Sequence, residues 1–441
     1  MVKVTKWLKY WGQLFLLPIY GISFLFPRDK ELWLFGSSFG RRFADNPRYF
    51  YQYCVKNKVQ LNIHPIWISH DKEIVKYLRS RGFEAYVYYS LKGFYYAIIG
   101  KVYLYDNYSK DINFWQSGGA IKINMWHGIP LKKIQADNKN DKFRHPKNLW
   151  EKWRNLPRNL SDEKPSDYVL TTSENLKTIF SSAFRTNNVI TYGYPRIDYL
   201  ISDKINYLLM PKEQEELDIV KYFLNKHSEN VTDREKHKNN YHNSEICDVC
   251  ENGNRTKIIY YMPTFRDSEV KFFEIVDLEK LQKYLNKENI LFCVKLHPKS
   301  KLRVGFDKIA DRKFENILVV DMLSDPYVIL KVSDLLVTDY SSVYFDFLLL
   351  DRPIIFFDYD REEYITKSRE LYFNYEEMTP GEKAETMEGL IKAIGNAINP
   401  TSEYEKKYKT QRRIVRDRVF DTPGEMSCPK LANGIKSIIG G

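Results

Sequence analysis

Two histidines, an arginine and a pair of serines stand where proton and phosphate chemistry is possible. In Trp126-His127-Gly128-Ile129-Pro130 an apolar strand ends just before a histidine, and Gly and Pro shape the turn after it. A histidine so placed suits proton transfer. Leu131-Lys132-Lys133 behind it adds positive charge for a phosphate-bearing partner. Met262-Pro263-Thr264-Phe265-Arg266-Asp267 closes another strand, and Arg266 there could clamp a phosphate bidentately. Val294-Lys295-Leu296-His297-Pro298-Lys299 closes a third, with a histidine between two lysines. Thr338-Asp339-Tyr340-Ser341-Ser342 ends a fourth and opens a helix, offering hydroxyls and free backbone N–H groups to an anion. Each has an ordinary alternative: a structural histidine, a surface ion pair of Arg266 with Asp267 or Glu269, N-capping by the serines. Chance explains any one of these constellations better than it explains all four.

The elements that must position them follow an alternating pattern. Leu32–Phe35, His64–Ile68, Ala85–Tyr88, Val102–Tyr105, Ile121–Asn124 and Tyr168–Thr171 read as short apolar strands, with helical spacing between them, as in Glu73–Arg81. A second series comprises Ile258–Met262, Ile290–Val294, Ile317–Val320, Leu335–Thr338 and Ile354–Phe357. Strands separated by helices imply βαβ units and parallel sheets, whose strands are buried on both faces. The expected fold class is α/β: two doubly wound, Rossmann-like domains with a ligand cleft between them. The expected divisions are an N-terminal segment over 1–28, a first domain over 29–200, a polar insertion over 201–257, a second domain over 258–400 and closing helices over 401–441. Within the insertion, His237, His242, Cys247 and Cys250 could ligate zinc, although fortuitous cysteines in a polar loop explain them as simply.

At 441 residues the chain is long enough for two domains, and 43% hydrophobic with 28% charged residues is a folded composition. The net charge of +11 suits an anionic partner: phosphorylated substrate, acidic lipid or nucleic acid. Five cysteines, an odd number, do not make a disulfide framework and fit a reducing compartment. Trp7–Pro27 is apolar and aromatic with flanking Lys3, Lys6, Lys9, Arg28 and Lys30, and no cleavage site follows it. The uninterrupted run Leu14–Phe26 is short for a span and contains Pro18 and Gly21, so a membrane-associating helix lying in the interface is expected. A buried core helix and a true span are the alternatives. Trp150–Arg154, continuing to Arg158, is a second aromatic-basic stretch able to touch headgroups.

WHGIPLKK, MPTFRD, VKLHPK and TDYSSVYFDFLLLDRPIIFFDYD resemble the signature blocks of the CDP-glycerol glycerophosphotransferase family, whose members prime and polymerise teichoic acids and related capsular polymers. Gly36–Gly40, Asp45-Asn46-Pro47, Thr171–Glu174 and Gly193–Arg196 are also similar to family segments, so the resemblance runs from about residue 30 to 420. It implies a GT-B fold, with the acceptor on the N-terminal domain and CDP-glycerol on the C-terminal one. It implies His127 as general base, and Arg266 and His297 as the groups that neutralise the pyrophosphate while CMP leaves. Ser341 and Ser342 would anchor phosphate, and Asp339 and Asp346 would brace the nucleotide region. Gly128, Lys132, Thr264, Lys295, Ser173 and Arg196 complete the implied substrate contacts. Such transfer needs positioning and charge neutralisation rather than covalent help. No cofactor is required, and the sequence leaves a loosely held Mg²⁺ open.

The implied acceptor is an undecaprenyl-linked saccharide or polymer at the cytoplasmic face of a bacterial membrane, with the protein bound peripherally to the anionic surface and no nucleic acid involved. CDP-ribitol is an equal donor on these residues, and a GT-B nucleotide-sugar glycosyltransferase is a further enzymatic alternative. A basic surface-binding protein without activity would explain the charge but not the strand-end blocks. The sequence departs from the family pattern in two places: Phe420–Ser427 lacks an arginine shortly after Ser427, and the insertion around Asn225 to Arg255 is longer and more polar than the family's.

Overall fold

The computed structural model describes residues 7, 10–162, 165–203, 206–225, 255–265, 271–297, 300, 314–362, 364 and 370–440. The chain forms two compact units: Met1–Leu208 with Glu363–Met378 and Ile414–Gly441, and Leu209–Glu362 with Thr379–Arg413. Both are parallel-sheet α/β units.

In the first unit the strands are β1 (Asp29–Phe35), β2 (His64–Ser69), β3 (Ala85–Val87), β4 (Gly100–Tyr105), β5 (Ile121–Asn124), β6 (Tyr168–Leu170) and β7 (Val189–Ile190). Their order is β3-β2-β1-β4-β5-β6-β7, and every pairing is parallel. The chain winds outward from β1 to β3, then returns to place β4 on the other side of β1. Leu34 lies opposite both Ile66 and Tyr103, and the final four residues of β1 are buried. Helix Lys72–Ser80 buries Ile74, Val75 and Leu78 on one face, and Asp71 caps it by accepting from Glu73 N at 2.8 Å. Each fully buried Leu, Ile or Phe contributes about 1.5–3 kcal/mol.

The second unit repeats the topology with β8 (Lys257–Met262), β9 (Ile290–Lys295), β10 (Ile317–Val320), β11 (Leu335–Thr338), β12 (Ile354–Phe357) and β13 (Glu382–Ala384). The order is β10-β9-β8-β11-β12-β13, again parallel, with Val337 opposite Tyr261 and Ile355. Ile259, Tyr261, Phe292, Val294, Val337 and Ile355 belong to one buried cluster. Every strand expected from the apolar runs is present; β7 and β13, two and three residues long, carried too little pattern to be seen.

Three expectations change. Within the polar stretch expected over 201–257, Pro211–Asn225 is a helix of the second unit. Its buried Glu213 and Glu216 accept from the backbone N–H groups of Asp325 and Asp321, at 2.9 and 2.6 Å. The acidic residues look like solvated surface in sequence but serve as caps in the fold. The His237/His242/Cys247/Cys250 cluster lies outside the described residues.

Second, the helix Ser427–Gly440 belongs to the first unit, where Asp198 accepts from Ser427 N at 2.6 Å and Cys428 N at 2.8 Å. Third, the N-terminal stretch is not one membrane helix. From residue 10 its described part is a helical turn over 10–12, the 3-10 segment Gln13–Leu16 and the seven-residue helix Leu17–Ser23. Pro18, with no N–H to give, sits where a helix begins rather than inside one. No helix among the described residues is long and apolar enough to cross a membrane, since spanning takes about 20 apolar residues. Arg28 holds the segment to the body, donating to the carbonyls of Ser23, Ala97, Gly100 and Gln116.

Candidate active site

In a doubly wound sheet the crevice for ligand opens beyond the carboxyl ends of the strands, where the winding reverses. In the first unit that place lies between the ends of β1 and β4, with β5 alongside. The loop after β1 and the loop after β4 meet there through two buried carboxyls. Asp106 accepts from Ser37 Oγ at 3.0 Å, Ser38 N at 2.9 Å and Asn107 Nδ2 at 2.8 Å. Asp111 accepts from Phe39 N and Asn107 N, both at 2.9 Å. The loops approach so closely that a Cβ on Gly36 would lie 2.6 Å from the carbonyl oxygen of Asp111. Burial raises both carboxyls above the ordinary range; the charge of Asp45 adds to the rise of Asp106, and the neighbouring Asp106 carboxylate adds to the stronger rise of Asp111.

The backbone carbonyl of Asp106 in turn accepts from His127 Nδ1 at 3.1 Å. A carbonyl can only accept, so Nδ1 carries a proton, and in the neutral form of this exposed ring the lone pair is on Nε2. That is the tautomer of a base. The turn carrying His127 is strained, because Trp126 has φ +50°, a left-handed conformation that costs a bulky residue about 1–3 kcal/mol. Asn124 Oδ1 accepts from Trp126 N at 2.9 Å, and buried Asn46 donates to the carbonyls of Met125 and Trp126 at 3.0 and 2.8 Å. The Trp126 ring lies 3.8 Å from that of His127.

Several other expected contacts of the first unit serve as scaffold. Arg196 is buried and paired with Asp45 at 2.8 Å, while its backbone N–H donates to Asn46 Oδ1 at 3.2 Å, behind the His127 turn. Ser173 accepts from Asn175 N at 3.1 Å and caps a 3-10 turn. Gly128 is buried, its carbonyl accepting from Tyr194 Oη at 3.4 Å. Lys132 donates to Tyr364 Oη and lies over its ring.

In the second unit the reversal falls between β8 and β11, and again a carboxylate joins the two strand ends. Asp339, fully buried, accepts from Thr264 N at 2.9 and 3.0 Å and from Tyr340 N at 2.5 Å. Ser341 and Ser342 follow, half-buried, and Ser342 at the start of helix Val343–Phe347 makes no side-chain capping bond. Capping therefore does not account for that hydroxyl. His297 is exposed just beyond β9, its ring 5.6 Å from Phe265. Lys295 points elsewhere: it is buried and donates to the carbonyls of Asp321 and Ser324. Asp346 is also buried, accepting from Tyr327 Oη. Arg266 lies outside the described residues.

The structure thus places Asp339, Ser341 and Ser342 at the reversal point of the second sheet with His297 at the end of neighbouring β9, and His127 beyond β5, tied to the reversal point of the first sheet by the Asp106 carbonyl. It turns Lys295, Asp346, Arg196 and Ser173 to internal work. The sequence reading missed Asp106 and Asp111. The available signal was an aspartate directly after the strand Val102–Tyr105, the place where the neighbouring strand carries His127.

A family model described as CDP-Glycerol:Poly(glycerophosphate) glycerophosphotransferase matches residues 19–220 and 231–433. The chain belongs to this family. It is therefore a phosphotransferase of CDP-glycerol-type teichoic acid synthesis, as its relatives also indicate. It is 29% identical over 405 residues to a teichoic acid poly(glycerol phosphate) polymerase of Bacillus spizizenii, covering 87% of this chain and 89% of that protein. It is 27% identical to a teichoic acid glycerol-phosphate transferase of Staphylococcus aureus, with 85% and 86% covered. It also matches a teichoic acid poly(glycerol phosphate) polymerase of Bacillus subtilis at 28% identity over 85% of this chain, but spans only 45% of that longer protein. The structure of the wall teichoic acid polymerase TagF shares the fold, with a TM-score of 0.68 and 23% identity over 100% of this chain and 98% of the other.

Proposed function

We propose that this family member transfers glycerol phosphate from CDP-glycerol to a hydroxyl of a membrane-held acceptor, an undecaprenyl-linked saccharide or polymer, and releases CMP. The observation that carries the reading is His127: an exposed base whose tautomer is set by the Asp106 carbonyl at the reversal point of its sheet. In this reading the acceptor oxygen attacks the phosphorus that bears glycerol, and the bond from that phosphorus to the CMP oxygen breaks. The acceptor proton passes to His127 Nε2. His297, Arg266 and the Ser341–Ser342 turn meet the negative charge that develops on the leaving CMP. Charge met by these groups does not require Mg²⁺.

CDP-ribitol is the second reading, supported by 28% identity over 254 residues to a teichoic acid ribitol-phosphate polymerase of Staphylococcus aureus. The test is CMP release from CDP-glycerol and CDP-ribitol in parallel, with a lipid-linked acceptor in detergent. Release from CDP-glycerol alone is expected. Release only from CDP-ribitol replaces the donor, and silence with both moves the reading to a nucleotide-sugar glycosyltransferase.

We also infer peripheral attachment to the cytoplasmic face of the membrane. The two aromatic-basic stretches of the sequence are neighbours in the first unit. Trp11 lies 4.3 Å from Trp153, and Tyr10 Oη donates to the Arg154 carbonyl at 2.9 Å. On the same two stretches Phe15, Leu25, Leu149 and Trp150 are exposed at 86%, 82%, 84% and 65%, side chains suited to an apolar surface. Wild-type protein should float with anionic vesicles, and Phe15→Glu combined with Leu25→Glu should abolish flotation at unchanged Tm. Equal flotation of the variant removes this stretch as the anchor.

A further inference from the structure

The first unit holds a cavity beside the His127 turn that neither the sequence reading nor the family assigns. It exists because the β4–β5 connection contains two three-residue 3-10 turns, Ser109–Asp111 and Phe114–Gln116, and no long helix to cover the sheet. Lys122 and Asn124, alternate residues of β5, line it, with Arg144 and Arg185. A lysine in the middle of a parallel sheet is unusual. The Lys122 side chain is only 10% exposed and that of Arg144 only 8%. Asp167 lies 3.6 Å from Lys122 but is itself 46% exposed. Arg144 donates to Tyr108 Oη at 2.8 Å, yet its buried Nε makes no hydrogen bond, Asp141 standing 3.5 Å away. Lys122 Nζ also donates to the Ala120 carbonyl at 3.2 Å, so the unmet donor among these three cations is the buried Arg144 Nε, which is costly unless an acceptor arrives.

Two of the cavity's lining residues, Asn124 and Phe184, reach the base through Trp126. Asn124 donates to the Asn107 carbonyl at 3.0 Å and accepts from Trp126 N. Phe184, another lining residue, meets Trp126 edge-on at 4.8 Å, and Trp126 carries the His127 ring. We propose that this cavity binds the phosphodiester of the acceptor nearest its reacting hydroxyl, with Arg144, Lys122 and Arg185 as the anion contacts. The inference rests on the transferase reading and adds to it a preference for acceptors that already end in an alditol phosphate.

The test has a binding arm and a turnover arm. A short soluble tri(glycerol phosphate) is titrated calorimetrically into the full chain, with inorganic phosphate in a parallel titration. Arg144→Gln and Arg185→Gln should each weaken trimer binding about tenfold or more. Arg144→Lys should restore part of it. Arg185 is exposed, so its variant separates lost binding from lost folding. No trimer binding by wild type, unchanged affinity in both variants, or tighter binding of inorganic phosphate than of the trimer overturns the proposal. In turnover, the kcat/KM preference for a lipid-linked acceptor ending in glycerol phosphate over one without it should fall about tenfold in Arg144→Gln; an unchanged preference also overturns it. If the trimer results hold while CDP-glycerol gives no turnover, the donor reading fails and the anion site stands.

Discussion

His127→Ala should lower turnover by about 10²–10⁴-fold, the usual worth of a positioned general base. The ring is exposed, and its Nδ1 hydrogen bond is made to backbone, the Asp106 carbonyl. Truncation therefore leaves no buried charge and no cavity, and Tm should stay close to wild type. What is lost is the lone pair on Nε2 and the stacking of the ring on Trp126. His127→Gln, which keeps a polar group but supplies no base at neutral pH, should be as slow as the alanine variant. The measurement is kcat at saturating donor and acceptor, with circular dichroism and Tm as the folding check. A folded His127→Ala protein within a few-fold of wild type would remove His127 as the base and leave positioning alone to carry the transfer.

Asp111→Ala should cost the first unit about 2–5 kcal/mol, because it orphans the N–H groups of Phe39 and Asn107, both held at 2.9 Å in a buried place. It should also slow turnover, since the strand-end loops it joins carry the carbonyl that orients His127. Asp111→Asn is the informative companion, because an amide imitates a protonated carboxyl beside Asp106 but has no proton to lose. The sign follows from the raised pKa of Asp111, caused first by burial and then by Asp106. Between the unfolded value of about 3.9 and the raised folded value, the native state binds more protons than the unfolded one. Stability from this group is therefore full at low pH and lost as pH rises through that window. Denaturation midpoints of wild type and Asp111→Asn, compared across pH, should show the advantage of wild type shrinking as pH increases. A difference that is constant with pH, or that grows, would mean that the fold does not raise the Asp111 carboxyl.

Much of this molecule is readable along the chain. Apolar runs such as Leu32–Phe35 and Leu335–Thr338 can only be strands buried on both faces, and those strands set the two parallel sheets. A polar residue two or three positions past a strand is carried to its carboxyl end whatever packs around it, which is why His127 and His297 were visible. Pro18 likewise marks a helix start locally, although its effect on the N-terminal stretch emerged only with the helix boundaries.

What a charged side chain does was decided by the tertiary structure. Lys295, Asp346 and Arg196 have the residue types of a phosphate or nucleotide contact. They are spent on the carbonyls of Asp321 and Ser324, on Tyr327 and on Asp45. Lys122 sits within a strand and lines a cavity because no long helix follows β4. Asp106 and Asp111 gained their function from loops nearly seventy residues earlier in the chain. The division has a physical cause: strand and helix periods are set by neighbours within a few residues, whereas burial and the choice of partner, which decide the charge and role of an ionisable group, depend on residues brought together only by folding.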